Sequence, residues 1–159
     1  MTPPITSSSL FRIIVVVALL VLAADQLSKW WVVEAMGLEE RLAIPVLPPF
    51  LTFEMAWNTG INFGLFGGGS EVTRWVLIGI SVAVSAALVW WVLRRRSRAM
   101  AYGAGLVLGG AIGNAIDRVR HGAVADFLNT SCCGIDNPFS FNIADIAIFL
   151  GAVWIALRA

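Results

Sequence analysis

Residues 75–98 read WVLIGISVAVSAALVWWVLRRRSR, and this stretch decides the fold class. Its first nineteen residues, 75–93, carry no charge. That length suits a membrane-spanning helix, which needs about 20 residues. Four arginines follow within five positions, at 94, 95, 96 and 98. A cationic cluster in a short loop marks the cytoplasmic side of a membrane protein. We therefore expect this helix to end in the cytoplasm, with both chain termini on the same side.

The composition also indicates a protein that crosses the membrane several times. Of the 159 residues, 58% are hydrophobic and only 13% are charged, which is about half the charged fraction of a soluble domain. A net charge of +1 gives no support to a nucleic-acid partner. The two adjacent cysteines, Cys132 and Cys133, match no zinc or redox spacing, so we expect packing or surface thiols without a role. Because the chain has one histidine, we expect carboxylates to carry the chemistry.

The predicted fold class is an all-α polytopic membrane protein forming a single membrane-embedded domain. Its four transmembrane helices are expected at residues 11–33, 72–93, 100–120 and 141–157, with a small extracytoplasmic β element between helices 1 and 2. In the third helix, Gly105 and Gly109 form a small-xxx-small face that allows close helix packing. For the first segment, a cleavable signal peptide ending near residues 23–24 is an alternative, although Leu22 fits such a cleavage site poorly.

Residues 37–70 differ from the rest of the chain and predict the β element. Several prolines precede residues 51–55, which alternate with period two as in a strand. A glycine-rich tail with Phe63 and Phe66 follows. We expect a platform at the outer membrane surface. Asn58 within it is either a turn residue that caps its own backbone or part of a site. Residues 121–140 are expected to form an outer loop.

Asp126 and Asp145, nineteen residues apart, are the candidate catalytic pair. A carboxylate at the end of a membrane span is costly and by default indicates a functional site. Because helices three and four run in opposite directions, both aspartates reach the same outer surface. Two carboxyls held within a few ångströms cannot both ionise, so one of them holds a proton. Such a pair can activate a water with one carboxyl and polarise a carbonyl with the other.

Helical spacing places further polar residues beside this pair. Asn114 lies three residues before Asp117 and four before Arg118, so the three can share a helix face. Asn142 and Asp145 are likewise three residues apart. In the first helix, Asp25 and Lys29 can pair at spacing i,i+4. A purely structural ion pair remains an alternative explanation for those last two residues.

Five motifs occur in one order along nearly the whole chain. They are Asp25-Gln26-Leu27-Ser28-Lys29, Asn58-Thr59-Gly60 with Phe63-Gly64, GGAIGNAIDR at 109–118, Val124-Ala125-Asp126-Phe127 and Phe141-Asn142-Ile143-Ala144-Asp145. Together they resemble the motif set of the lipoprotein signal peptidase (signal peptidase II) family. Members of that family are bacterial inner-membrane aspartic endopeptidases. They cleave the signal peptide of a prolipoprotein just before a cysteine that carries a diacylglyceryl group.

By position, the resemblance implies that Asp126 and Asp145 are the catalytic dyad. It implies supporting or substrate-binding roles for seven polar residues: Asp25, Lys29, Asn58, Asn114, Asp117, Arg118 and Asn142. It also implies diacylglyceryl-modified prolipoproteins as substrates and membrane lipid as surroundings. We expect no metal, no organic cofactor, no nucleic acid and no obligate protein partner. The chain departs from the common family pattern at Asn62 and Ala125, which concerns the shape of the site.

Three finer expectations follow for the proposed site. Asn114 and Asn142 should orient the two catalytic carboxyls by hydrogen bonding. Asp117 and Arg118 should form a buried ion pair at the outer end of the third helix. The two phenylalanines of the glycine-rich tail should cover the substrate.

Two other classes of function are compatible with the polar residues. A small transporter or channel would use Asp126, Asp145 and Lys29 to line a polar pathway. However, the polar residues cluster toward the outer side and do not continue through the inner half of helices two to four. A structural assembly subunit would use the small-residue face but would leave the Asn and Asp clusters unexplained.

Overall fold

The computed structural model describes residues 6–60, 71–132, 134 and 137–159. The elements in chain order are helix α1 (Ser7–Lys29) with a π-helical continuation (Trp30–Ala35), α2 (Leu38–Arg41), strands β1 (Ala43–Leu47) and β2 (Leu51–Asn58), helices α3 (Glu71–Arg95) and α4 (Arg98–His121), strand β3 (Val124–Asn129) and helix α5 (Ile143–Ala156). Asn62 and the expected cover of Phe63 and Phe66 lie outside the described residues.

Within the described chain, three helical segments are long and apolar enough to cross a membrane: Ser7–Ala35, Glu71–Arg95 and Arg98–His121. Helix α5 is apolar but has 14 residues. At 1.5 Å per residue it is about 21 Å long, against a hydrocarbon layer of about 30 Å. The predicted polytopic helical architecture is therefore confirmed, whereas a fourth span at α5 stays a prediction.

The outward faces of the long helices are apolar. Leu19, Leu20, Val82 and Phe149 are each exposed over more than half of their surface. A soluble protein rarely exposes such large continuous apolar areas, and they mark contact with a membrane or a partner. Hydrocarbon around these helices removes the cost that water would impose, which agrees with the composition.

Helix α4 lies at the centre of the bundle because its glycines let the neighbouring backbones approach. A Cβ at Gly109 would lie 2.6 Å from the backbone oxygen of Ala18 in α1, and one at Gly105 would lie 2.9 Å from that of Ile14. The same helix contacts α5 at Gly103, where a Cβ would lie 3.0 Å from the backbone oxygen of Gly151. The predicted close packing through Gly105 and Gly109 is confirmed.

The helix ends that carry arginines meet at one side of the bundle. Leu10, Val92, Met100, Ala101 and Ile155 form one buried cluster. These residues belong to the start of α1, the end of α3, the start of α4 and the end of α5. The same four ends carry Arg12, Arg94, Arg95, Arg96, Arg98 and Arg158. We call this side the arginine end; none of the acidic residues that the structure describes lies there.

At the opposite side, the β element is an antiparallel sheet of three strands in the order β1-β2-β3. The first two strands come from residues 37–70, as predicted. The third, β3, comes from residues 124–129, which the sequence analysis assigned to a loop. This strand is almost entirely buried, so it lacks the polar–apolar alternation that reveals a half-exposed strand. It pairs Asp126 with Ala56 of β2.

The loop after β3 differs from expectation at one further position. Cys132 is disulfide-bonded, so the expectation of a free thiol is wrong for this residue.

Candidate active site

Asp126 and Asp145 are held by different elements that converge beside the last turns of α4. Asp126 lies on β3, next to the end of α4 marked by Gly122 at φ +79°. Asp145 lies in the first turn of α5. An isolated bridge between Leu128 and Phe141 ties the strand to the residues that start α5. Strand and helix therefore bring together the two carboxyls that were predicted to form a pair.

Asn142 begins α5 and fixes Asp145 through a capping box. Its Oδ1 accepts a hydrogen bond from the Asp145 backbone N–H at 2.9 Å. In return Asp145 Oδ2 accepts one from the Asn142 backbone N–H at 3.4 Å. A side-chain N-cap stabilises a helix by about 1 kcal/mol. The carboxylate also gains from the positive end of the helix dipole, so local helix chemistry contributes to the orientation of Asp145.

Two side-chain amides connect the carboxyls. Asn142 Nδ2 donates to Asp126 Oδ1 at 2.6 Å and contacts Asn114 Oδ1 at 3.2 Å. Asn114 Nδ2 donates in turn to Asp145 Oδ1 at 2.8 Å. The chain Asp145–Asn114–Asn142–Asp126 is therefore continuous. Asn142 is fully buried and Asn114 is 8% exposed. The geometry agrees with the expectation that these two asparagines orient the carboxyls.

Asn58 provides a second amide donor to Asp126. Its Nδ2 donates to Asp126 Oδ2 at 3.0 Å, while its Oδ1 accepts from the Gly60 backbone N–H at 2.8 Å. The turn role and the site role considered for Asn58 are thus both present. The turn fixes the amide, and the amide faces the carboxyl.

Burial sets the protonation behaviour of Asp126, which is 3% exposed. Desolvation raises its pKa from 3.8 to about 6, and the nearby charge of Asp145 acts in the same direction. The hydrogen bonds from Asn58 and Asn142 oppose this rise. Because burial outweighs the amide donors, Asp126 can hold a proton close to neutral pH.

A buried network of charged side chains lies next to the segments that carry Asp126 and Asp145. Lys29 Nζ lies 2.7 Å from Asp25 Oδ2 and 2.7 Å from Asp117 Oδ2. Gln26 Nε2 donates to Asp117 Oδ1 at 3.0 Å and to Asp25 Oδ2 at 3.1 Å. All three charged side chains are at least nine-tenths buried. One ammonium is therefore shared by two carboxyl groups, in a place where an unpaired charge would be very costly.

The two carboxylates of this network hold the backbone directly before each candidate catalytic residue. Asp117 Oδ2 accepts the N–H of Ala125 at 3.3 Å. Asp25 Oδ1 accepts the N–H of Ala144 at 3.0 Å. Lys29 therefore links Asp117, which holds the backbone before Asp126, to Asp25, which holds the backbone before Asp145. Gly113 makes this possible, since a Cβ there would lie 2.5 Å from Asp25 Oδ2.

The predicted ion pair between Asp117 and Arg118 is wrong. Asp117 pairs with Lys29, and Arg118 appears in none of the ion pairs between described residues. Consecutive helix residues point about 100° apart and do not face each other. Arg118 Nη1 instead lies 3.4 Å from the backbone oxygen of Asn114. The charges of Asp145, Asp126 and Asp117 all act on its guanidinium.

Sequence reasoning missed the part played by Gln26 and by the backbone N–H groups of Ala125 and Ala144. Gln26 follows Asp25 in the first motif, but its partner Asp117 is 91 residues away, and no local spacing links them. His121 contacts the Trp57 ring at 5.3 Å between centroids. In the part of the chain that the structure describes, no three His, Cys, Asp or Glu side chains come together as a metal would require.

Comparison with known proteins finds relatives that match most of this chain. The family model of Peptidase_A8, Signal peptidase (SPase) II, matches residues 17–159. A lipoprotein signal peptidase of Methylorubrum extorquens (strain PA1) is 40% identical over 148 residues, which are 92% of this chain and 85% of that protein. One from Rhodopseudomonas palustris (strain ATCC BAA-98 / CGA009) is 38% identical over 143 residues, or 88% and 87% of the two chains.

A solved structure is also similar to this chain. It is a bacterial membrane enzyme determined by the in meso method at 1.9 Å resolution. It is 29% identical, with a TM-score of 0.77, and the match covers 91% of this chain and 90% of that one. From the matched family model and the relatives at this identity, we conclude that the chain belongs to the signal peptidase II family, the aspartic proteases that remove signal peptides from prolipoproteins.

Proposed function

We propose that Asp126 and Asp145 are the catalytic dyad with which this protease cleaves diacylglyceryl-modified prolipoproteins just before the lipidated cysteine. The observation that carries the proposal is the continuous chain of amides that joins buried Asp126 to partly buried Asp145. Each oxygen of the two carboxyls accepts one hydrogen bond from the protein, and a carboxylate oxygen has a second lone pair that can accept from a water or a substrate. The transporter and assembly-subunit alternatives are set aside because the family consists of proteases.

In this mechanism the water is the nucleophile and the pair shares one proton. Asp145 takes a proton from the water while the water oxygen attacks the scissile carbonyl carbon. Protonated Asp126 donates its proton to the carbonyl oxygen, so the tetrahedral species forms without an unpaired negative charge. The carbon–nitrogen bond then breaks. The proton on Asp145 passes to the leaving amine of the cysteine, and the new carboxyl group returns a proton to Asp126.

The raised pKa of Asp126 suits it to the acid role in the first step. A general acid works best when its pKa lies near the working pH, and burial brings the pKa of Asp126 to about 6. Asp145 is oriented by the helix that it caps and by Asn114. Because the two groups interact, their titration belongs to the pair as a whole.

The supporting residues would act through position. Asp25, Lys29 and Asp117 fix the backbone on which the dyad is mounted. Asn58, Asn114 and Asn142 fix the carboxyl planes. Arg118, next to the dyad and without a carboxylate partner among the described residues, is suited to a substrate carbonyl.

The distribution of charge supports an orientation with both termini in the cytoplasm and the site on the extracytoplasmic side of the inner membrane. Six of the eleven lysines and arginines belong to the arginine end. Cationic loops stay cytoplasmic. The opposite side carries the sheet and the dyad. A site at that depth would let the acyl chains of the substrate stay in hydrocarbon while its peptide bond reaches the carboxyls.

The test is cleavage of a diacylglyceryl-modified prolipoprotein by purified protein, with a chelator present. Wild type, Asp126→Asn and Asp145→Asn are compared, and Glu54→Gln serves as a control because Glu54 is an exposed carboxylate on β2. We expect wild type and the control to release a product that begins with the lipidated cysteine, identified by mass. We expect both dyad variants to lose at least about 1,000-fold in kcat. Near-normal cleavage by either folded dyad variant would overturn the assignment.

A further inference from the structure

An apolar groove lies between α3 and α4, and its lining extends to Leu93 near the arginine end. Its volume is about 560 Å³. Its walls include Val82, Ala86 and Val89 of α3 and Leu108, Ala111 and Ile112 of α4. Along α3 the groove extends from Ser81 to Leu93, which is about 18 Å at 1.5 Å per residue. That length is close to half of the hydrocarbon layer, about 15 Å.

Trp90 and Leu93 of the groove also line a second cavity of about 620 Å³, together with Ser7, Arg94 and Arg96. The Arg94 guanidinium carbon lies 5.2 Å from the centroid of the Trp90 ring, so its charge is fixed above the mouth of the groove. Neither arginine has a carboxylate partner among the described residues. Two unpaired cations therefore lie where an apolar channel meets the membrane surface.

We propose that this composite site binds one anionic phospholipid, with its phosphate on Arg94 and Arg96 and one acyl chain in the groove. Basic pockets between membrane helices recognise anionic lipid headgroups. Arginine suits a phosphate because its planar fork can donate two parallel hydrogen bonds. The two arginines lie next to the apolar groove, which favours a whole lipid as the ligand. A free phosphate would bind the arginines but would leave the apolar groove empty.

Charge argues against two other occupants. The signal peptide of a substrate begins with a positively charged region, which Arg94 and Arg96 would repel at this end of the bundle. A second copy in the same orientation would bring its own arginine end to the same level, where no described residue carries a negative charge. An anionic lipid satisfies both parts of the site.

A matched control exists at the same end of the molecule. A cavity of about 410 Å³ is lined by Arg12, Arg98 and Tyr102, together with hydroxyl side chains at the start of α1. It shares no residue with the groove or with the Arg94–Arg96 cavity. Replacing Arg12 and Arg98 removes the same number of charges from the arginine end as replacing Arg94 and Arg96. A general surface-charge effect would therefore be equal in the two double variants.

The headgroup experiment is a lipid titration of the full-length protein in detergent, followed by native mass spectrometry. Phosphatidylglycerol is compared with phosphatidylethanolamine of identical chains. We expect one phosphatidylglycerol to bind wild type with clear preference. Arg94→Gln with Arg96→Gln should weaken that binding about 25-fold, from about fivefold for each arginine. Arg12→Gln with Arg98→Gln should leave it unchanged. Equal binding of the two lipids, or equal losses in the two double variants, would refute the proposal.

The groove is tested separately with Ala86→Phe, which fills it, and Ala87→Phe, which does not line it and is exposed on the adjacent face. We expect the retained phosphatidylglycerol to be lost in the first variant only. Glycerol phosphate, which has the charge without chains, should not compete with the lipid. Competition by glycerol phosphate would indicate a site for free phosphate. A doubled protein mass in place of a lipid adduct would indicate that a second copy of the chain occupies the groove. Either result would overturn the proposal. None of these variants touches the proposed catalytic residues.

Discussion

Replacing Lys29 with methionine is the most informative perturbation of the support network. The substitution keeps a long apolar side chain and removes the one ammonium shared by Asp25 and Asp117. Asp25 is fully buried and Asp117 is 4% exposed. Removing one partner of a buried ion pair costs about 3–5 kcal/mol, because the remaining charge is left without compensation. Here two carboxylates lose their partner, so we expect the loss to reach at least the lower end of that range.

The loss can be measured as a shift in thermal midpoint and in catalytic rate. For a chain of this length, 3–5 kcal/mol corresponds to a decrease in Tm of about 6–20 °C. The carboxylates also hold the backbone before Asp126 and Asp145. A displacement of about 1 Å at a catalytic group lowers the rate about 100-fold, so we expect kcat for prolipoprotein cleavage to fall by about that factor.

Two further variants decide whether the charge balance is the cause. Arg41→Met removes a cation from an exposed position of α2 and should change neither Tm nor kcat. Combining Lys29→Met with Asp25→Asn and Asp117→Asn removes the unpaired charges and keeps side-chain oxygens for the two backbone N–H groups. We expect this triple variant to recover about half of the lost stability. A loss below about 1 kcal/mol in Lys29→Met, or no recovery in the triple variant, would refute this account.

Three other predictions follow from the geometry. Gly109→Ala should lower the free energy of unfolding by about 1–3 kcal/mol, because the added Cβ would lie 2.6 Å from the Ala18 backbone oxygen. Gly79→Ala is the control, since the space around Gly79 is open and we expect no loss. Chemical unfolding in detergent measures both variants. Because the folded pKa of Asp126 is raised from 3.8 to about 6, the native state binds an extra proton between these two values. The free energy of unfolding should therefore fall by about 2 kcal/mol as pH rises from about 4 to 6. Asp126→Asn should lack this slope, and an unchanged slope would contradict the assignment. Asn58→Ala removes a donor that lowers the pKa of Asp126, so the titration of that group in the pH–rate profile should move to higher pH.

The membrane helices were predictable because their physical cause is local. A run of uncharged residues long enough to cross hydrocarbon is visible in the sequence without knowledge of any partner, as at residues 75–93. The glycine contacts of α4 followed for the same reason, since a small-xxx-small face depends only on helical spacing. The length of α5 was less certain, because its start is set by the capping box of Asn142 within a longer apolar stretch.

The parts that sequence reasoning missed depend on contacts between distant segments. Strand β3 exists because Asp126 and its neighbours pair with β2, about 70 residues earlier. The same holds for the partner of Asp117. Its spacing to Arg118 suggested a local ion pair, but helix geometry turns those two side chains apart and directs Asp117 to Lys29 on α1. Local spacing found the residues of the site, while tertiary packing chose their partners.

Asp126 lies on a buried strand and not within a helix. Two separate features of this position affect its pKa. Burial favours the neutral acid, and the amides of Asn58 and Asn142 favour the ion. Burial prevails, but the donors keep the pKa at about 6, low enough for the proton to leave during a cycle at neutral pH. Without the amides the pKa of Asp126 would be higher. With less burial the pKa would be lower, and a smaller fraction of Asp126 would carry a proton at neutral pH. The buried strand and the two amides therefore act in opposite directions on the same proton, and together they set the fraction of Asp126 that can act as an acid.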